Sequence, residues 1–162
     1  MTLFKSASKP LAWWMLPLLA ALMLALTTLR VSDAASPGIS TSTGNVAING
    51  YDTVAYFVDG KATKGSPEHE VVWQDARWFF ASADHKARFK ADPSRYAPQF
   101  GGWCAAGVAE GEYYQVDAET WTIVDGKLYL NYDRSVAGAW SADRERNIAA
   151  AEQAWTSAAN GR

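Results

Sequence analysis

The leucines of this chain are concentrated almost entirely in its first thirty residues. Nine of the eleven leucines and all three methionines lie at or before Leu29. From Ala35 onward the chain has two leucines, Leu128 and Leu130, against eighteen aromatic residues. This distribution excludes a leucine-seamed coiled coil in the later part, and the aromatic content excludes a disordered chain. With 162 residues the chain is long enough for one domain of ordinary size.

The beginning of the chain has the pattern of an export signal. Lys5 and Lys9 give a basic start, residues 10–29 carry no charge, and small residues stand at positions 32 and 34. The pattern predicts a signal peptide over residues 1–34 and a periplasmic or secreted protein. Because the apolar run approaches the ~20 residues that span a bilayer, an uncleaved anchor facing the periplasm is the alternative.

The charge of the remaining chain limits its partners. Removing residues 1–34 takes away three basic residues and one acidic residue, which changes the formal net charge from −2 to −4. A negative domain of this kind argues against nucleic acid and against an anionic membrane surface. The expected partner is a metal ion, a protein or a small molecule, with membrane contact only through an uncleaved leader.

Turn-forming residues divide the mature chain. Residues 35–45 are rich in Pro, Gly, Ser and Thr and predict a flexible linker, followed by a domain over residues 46–158. Two β-hairpins are predicted, one over His69 to Ala81 and one over Thr120 to Tyr132, where Asp125-Gly126 supplies a tight turn.

Helices are predicted between and after the hairpins. Ser82 is a candidate N-cap for a helix that ends near Ala91, a short helix starts at Cys104, and the chain is helical from Val136 onward. The predicted fold class is α+β: a small antiparallel sheet built from the two hairpins, with helices packed on one face.

The familiar catalytic and cofactor motifs are absent from the sequence. There is no GxGxxG, phosphate loop, HExxH, CxxC, CxxCH or GxSxG. No catalytic residue or organic cofactor site is therefore assigned.

Three residues remain that could hold a soft metal or act as nucleophile and base: His69, His85 and Cys104. They are too few for a closed four-ligand zinc site, whereas a thiolate with one imidazole suits Cu(I). Each also has a structural interpretation, since a lone cysteine is commonly buried and a histidine near a helix start is commonly hydrogen-bonded. A Cys104 nucleophile with His85 as base would further need an orienting group and an oxyanion site, and the sequence marks neither.

The aromatic residues allow two interpretations as well. Each predicted hairpin carries a set of them: Trp73, Trp78, Phe79 and Phe80 in the first, and Trp121, Tyr129 and Tyr132 in the second. In a domain with few leucines they are most simply the core. The alternative is an exposed aromatic face that binds a ligand.

Three segments together resemble the exported bacterial YHS domain-containing proteins, which are related to the TRASH metal-binding modules. These segments are INGYDTVAYF (48–57), RWFFASADHKARFKADPSRYAPQFGGWCA (77–105) and WTIVDGKLYLNY (121–132). The resemblance covers almost all of the mature chain. It implies a treble-clef-like scaffold and metal handling, copper above all.

Of the positions at which metal-binding members of the family have ligands, one keeps a coordinating residue in this chain. Where metal-binding members have cysteines, this chain has Ala55, Ala81 and His85, so only His85 keeps a coordinating atom. Cys104 belongs to the GGWC segment of the exported subgroup. The leading hypothesis is a non-enzymatic, extracytoplasmic binding domain that holds copper through His85 and Cys104. The alternatives are a metal-free interaction or small-ligand module with an aromatic surface, and a Cys/His enzyme.

Overall fold

The computed structural model describes residues 37–160. The predicted signal peptide and the first two residues of the predicted linker lie outside this range. The first half contains β1 (Thr41–Ser42), β2 (Val46–Ala47), α1 (Thr53–Val58), β3 (Ser66–Trp73), β4 (Ala76–Phe80), α2 (Ala83–Ala91) and α3 (Pro93–Tyr96). The second half contains α4 (Ala105–Ala109), β5 (Asp117–Val124), β6 (Lys127–Asn131), α5 (Arg134–Ala142) and α6 (Arg144–Ala159). Short 3-10 turns cover Ile48–Gly50 and Gln99–Gly102.

The first predicted hairpin is confirmed as β3 and β4, which pair antiparallel. Its turn places Gln74 and Asp75 at φ 48° and 58°, the left-handed conformation that a tight hairpin turn requires. The hairpin lies in a four-stranded sheet of order β1-β2-β4-β3. One pairing in this sheet, between Val46 of β2 and Arg77 of β4, is parallel and was not predicted.

The second predicted hairpin is confirmed as β5 and β6. Asp125 and Gly126 have φ 50° and 74°, as the Asp-Gly sequence predicts for a two-residue turn. These two strands form a sheet of their own. The prediction of one antiparallel sheet built from both hairpins is therefore wrong, while the α+β class is confirmed.

Part of the predicted flexible linker is structured. β1 pairs with β2, the Ser40 N–H donates to the Gly101 carbonyl at 2.8 Å, and the Trp103 indole N–H donates to the Gly38 carbonyl at 2.9 Å. Ser40 is buried. The ordered domain therefore begins before Val46, because distant residues supply the hydrogen bonds that a local reading of the sequence does not reveal.

The predicted helices form, with one difference at the end of the chain. Ser82 caps α2 through a hydrogen bond from the His85 N–H at 3.1 Å, and Cys104 stands at the N-cap of α4. The C-terminal helical region is divided into α5 and α6, because Asp143 has the non-helical angles φ −137° and ψ 60°. No helix within residues 37–160 is long and apolar enough to cross a membrane.

Aromatic residues are the largest buried side chains of the core, which consists of two clusters. In the first, Phe89 of α2 packs against Trp78 and Phe80 of β4 at ring-centroid distances of 5.1 and 4.9 Å. In the second, Tyr129 of β6 packs against Trp140 of α5 at 5.4 Å. The interpretation of most aromatic residues as core is confirmed, and the few that remain exposed define the site described below.

Candidate functional site

A buried carboxylate organises the region around His85. Asp52 precedes α1, is 0% exposed, and caps the helix by accepting the N–H groups of Val54 and Ala55 at 2.9 and 3.2 Å. Its other oxygen accepts the Ala81 N–H at 2.8 Å and lies 2.7 Å from His85 Nδ1. A buried carboxylate requires such partners to offset its lost hydration. Asp52 therefore joins α1, the end of β4 and α2 through one side chain.

The bond to Asp52 fixes the orientation of the His85 imidazole. An ionised carboxylate accepts but does not donate, so a hydrogen bond to ionised Asp52 requires the proton of His85 to stand on Nδ1. His85 is 8% exposed, and its second nitrogen, Nε2, lies 4.0 Å from the Asp59 carboxylate at the end of α1. In the neutral ring Nε2 keeps a lone pair, and a histidine held in this way by a carboxylate is the usual form of a metal-ligating histidine.

Cys104 lies in a different environment. It is 1% exposed, its N–H donates to the Tyr114 carbonyl at 3.1 Å, and its sulfur lies 3.8 Å from the side-chain oxygen of Asn131. That oxygen also accepts the Ala106 N–H at 3.3 Å, which fixes the orientation of the amide. Asn131 is 0% exposed, and within residues 37–160 its Nδ2 donor has no hydrogen-bond partner.

The two predicted metal ligands thus have separate partners. His85 bonds to Asp52, and Cys104 contacts Asn131. In the described part of the chain no three or more His, Cys, Asp or Glu side chains form a group that could hold a metal ion. His69, the other histidine, lies in β3, where its residue is half-buried.

A pocket of about 340 Å³ opens beside Cys104. We call it the tyrosine pocket, because its two largest lining residues are Tyr114 and Tyr132, which are 49% and 55% exposed. The remaining lining residues are Cys104, Ala106, Gly107, Glu110 and Val136. Most of this surface is apolar, and the pocket lies at the end of α4 between the chain leading to β5 and the start of α5.

The tyrosine rings meet at an angle. Their centroids are 6.4 Å apart and their planes are inclined by 70°. Gly107 allows Tyr114 to lie against α4, since a Cβ atom at Gly107 would come within 2.8 Å of a Tyr114 ring carbon and 3.0 Å of the Glu112 carbonyl oxygen. A larger side chain at position 107 would therefore displace the Tyr114 ring, so the glycine permits this wall of the pocket.

The tyrosine pocket continues into a larger depression of about 530 Å³ between α4 and the two C-terminal helices. Ala106, Glu110 and Val136 line both. The larger depression has polar residues along its edge, among them Asp143 and Arg146. The two together form a groove with an apolar, aromatic end and a polar end.

Burial raises the pKa of the two most enclosed tyrosines above the ordinary value of 10.0. Tyr56 donates its hydroxyl to the Ala118 carbonyl at 2.9 Å, and Tyr129 packs in the second core cluster. Both therefore stay neutral at physiological pH and act as structural residues. The exposed pair of the tyrosine pocket differs from them in facing solvent.

Comparison of the chain with models of known protein families, with curated proteins and with solved structures finds no match in any of the three.

Sequence reasoning did not identify several residues that the structure brings into these sites. Asp52 precedes a helix and could have been recognised as an N-cap, but its bond to His85 joins residues 33 positions apart. Asn131 ends a strand and carries no motif. Tyr132 was named as one of several aromatic residues that could form a binding face, but its neighbours Glu110 and Tyr114 were not, because the three meet only through the fold.

Proposed function

We propose that this chain is an extracytoplasmic binding domain, similar to the exported YHS domain-containing proteins, that captures a small organic ligand in the tyrosine pocket. The observation that carries the proposal is the pair of half-exposed tyrosine rings beside the apolar wall formed by Cys104, Ala106 and Val136. A treble-clef-like scaffold is part of the proposal, and the two hairpins with their adjoining helices support it. The proposed location is the periplasm or the cell exterior.

The dimensions and chemistry of the pocket support a small ligand. Ligand sites commonly measure roughly 300 to 1,000 Å³ and combine apolar or aromatic walls with a few polar groups. The tyrosine pocket has a volume of about 340 Å³, and among residues 37–160 one charged residue, Glu110, lines it. Contact between exposed aromatic rings and water is unfavourable. A ligand that covers the two rings removes their apolar surface from water, which favours binding.

A neutral apolar fluorophore tests the proposal directly. The exported protein, purified from an exporting host, is titrated with N-phenyl-1-naphthylamine, whose emission rises in an apolar site. Val136→Trp, which fills the pocket, is expected to abolish the signal. Val72→Trp is the matched control, because Val72 is 67% exposed on β3 and lies outside the pocket.

Two outcomes contradict the proposal. One is the absence of any saturable emission change with the unsubstituted protein. The other is equal binding by the Val136→Trp and Val72→Trp proteins, which would place the fluorophore elsewhere.

The second candidate function is copper binding through His85 and Cys104, as the family resemblance implies. One observation favours it: Asp52 holds Nδ1 of His85 and leaves Nε2 available, with the Asp59 carboxylate 4.0 Å away. Because the Cys104 sulfur contacts Asn131, a two-residue site would require Cys104 to exchange that contact for the ion. Copper binding therefore has less support from the geometry than the tyrosine pocket.

Anaerobic Cu(I) titration separates the two functions. If copper is the ligand, His85→Ala and Cys104→Ser each lower the affinity, whereas His69→Ala leaves it unchanged. Unchanged stoichiometry and affinity in both variants would overturn the copper candidate. A Cys/His enzyme has weaker support, because the polar neighbour of the thiol is the Asn131 amide and His85 is bonded to Asp52.

A further inference from the structure

We infer that the ligand of the tyrosine pocket carries an organic ammonium group, bound by the rings of Tyr114 and Tyr132 and by the carboxylate of Glu110. The inference rests on the proposed function, that this pocket binds a small molecule, and adds the chemical class of that molecule. Three features of the pocket lead to it: the half exposure of two aromatic rings that no internal cation covers, the sign of the charge in its lining, and the apolar character of its remaining walls.

The tyrosine rings form a corner rather than a stack. An inclination of 70° at a centroid distance of 6.4 Å means that the two rings do not cover each other face to face. Both side chains line the pocket and are about half exposed. The face of an aromatic ring is the negative part of its quadrupole, so two half-exposed rings that line one pocket offer negative surface to a cation.

No cationic side chain of residues 37–160 lies over these rings. Within residues 37–160, cationic side chains lie over the rings of Tyr51, Phe79 and Tyr96, the closest being Lys64 Nζ at 3.9 Å from the Tyr51 centroid. Neither Tyr114 nor Tyr132 has such a neighbour in this part of the chain. Other rings of the domain make a cation–π contact with a side chain of the chain itself. At the tyrosine pocket, a cation of the ligand can make this contact.

The charge in the lining has one sign. Glu110, at the end of α4, is the single charged residue among those that line the tyrosine pocket, and it forms no ion pair with any side chain of residues 37–160. A carboxylate without a partner attracts a cation and repels an anion. Glu110 also lines the adjoining depression, so it lies where a ligand would pass from one to the other.

The remaining walls favour an alkylated ammonium over a primary one. A primary ammonium has three N–H donors and loses strongly bound water when it enters an apolar site. Apart from Glu110, the side chains that line the pocket are small, apolar or aromatic, Cys104 and Val136 among them. A quaternary ammonium has no N–H donor to satisfy, and its methyl groups pack against such walls.

Choline and its neutral isostere, 3,3-dimethyl-1-butanol, form the test pair, because they differ in the charge of one atom. Binding to the exported protein is measured by isothermal titration calorimetry and by displacement of N-phenyl-1-naphthylamine. We expect choline to bind roughly tenfold more tightly than the isostere, with an affinity that falls as NaCl is raised, because salt screens Glu110.

Three variants assign the contribution of each group. Tyr132→Ala and Glu110→Gln are each expected to weaken choline binding by roughly threefold or more, whereas Tyr132→Phe retains it because the ring face and not the hydroxyl makes the contact. Glu112→Gln is the control, since Glu112 is exposed near the same helix end but does not line the pocket. A smaller preference for choline over its isostere in Glu110→Gln, without loss of the fluorophore, is the specific signature.

The outcomes separate this inference from the function on which it rests. If the fluorophore binds in the pocket but choline binds no more tightly than its isostere, the ammonium inference is overturned and the small-ligand function stands. If neither the fluorophore nor either alcohol binds, both are overturned. If Glu110→Gln and Glu112→Gln bind choline equally, the charge of Glu110 is not the determinant and the inference fails.

Discussion

Replacement of Asp52 should destabilise the domain more than replacement of an ordinary helix cap. The Asp52 side chain is 0% exposed and accepts from Val54, Ala55, Ala81 and His85. Loss of the cap to α1 costs about 1 kcal/mol. Loss of the acceptor for the Ala81 N–H and the His85 Nδ1–H adds about 1 kcal/mol for each donor left without a partner. Asp52→Ala should therefore lower the free energy of unfolding by about 3 kcal/mol.

Asp133→Ala provides the matched control. Within residues 37–160, the Asp133 side chain makes a single hydrogen bond, from the Val136 N–H at 2.8 Å, which caps α5, and it bonds no distant element. Its replacement should cost about 1 kcal/mol. Asp52→Asn should lower the free energy of unfolding by about 2 kcal/mol, an intermediate value. The asparagine oxygen can still accept the N–H groups that begin α1, but its NH2 group would face the Ala81 N–H and the His85 Nδ1–H, which are also donors.

Guanidinium unfolding at pH 7, followed by tryptophan fluorescence, measures these differences. If Asp52→Ala and Asp133→Ala lose the same free energy, the bonds from Ala81 and His85 contribute nothing and the assigned role of Asp52 is wrong. If Asp52→Asn is as stable as the unsubstituted protein, the charge of the buried carboxylate is not needed.

Three further predictions concern tyrosine ionisation, thiol burial and the two helical glycines. Burial raises the pKa of Tyr56 above the ordinary value of 10.0, so the folded state favours the neutral phenol. The stabilisation that this provides is fully present below pH 10 and is lost as the pH rises above 10. Tyr56→Phe should therefore be about 1 kcal/mol less stable at pH 7, and its deficit should shrink at pH 11 in urea unfolding; an unchanged deficit would contradict this assignment. Cys104, 1% exposed, should react with a thiol reagent much more slowly in the native than in the unfolded protein, and equal rates would refute its burial. Gly107→Ala should lower the melting temperature, because the new Cβ atom would lie 2.8 Å from the Tyr114 ring. Gly138→Ala in α5 should raise it, because a Cβ atom there has no neighbour within 4 Å and alanine favours a helix. A higher melting temperature in both variants would show that the Tyr114 ring moves aside without cost.

Local sequence patterns predicted the elements of this fold well. The dipeptide Asp125-Gly126 predicted a tight turn, and Ser82 three residues before His85 predicted the start of α2, as the structure has them. In each case the decisive energy is contained within a few consecutive residues, through a permitted backbone angle or a capping hydrogen bond. Such information can be read from the sequence without knowledge of the rest of the chain.

Pairings between distant segments were not predicted. The parallel contact of Val46 with Arg77 places β2 beside β4, which joins the first hairpin to the start of the domain. The sequence also did not predict that the two hairpins belong to different sheets. Both depend on which strand edges meet, and the alternation of side chains within a strand carries no information about its neighbour.

The candidate site also combines residues that the sequence identified with partners that it did not. His85 and Cys104 were identified from residue type, but their partners, Asp52 and Asn131, were not, because a hydrogen bond over 33 or 27 positions leaves no local trace. The sequence by itself determined an aromatic-cored α+β domain, its two hairpin turns and the starts of α2 and α4. Only the tertiary structure decided which aromatic residues remain exposed and what charge lies beside them, because exposure and proximity are properties of the packed chain.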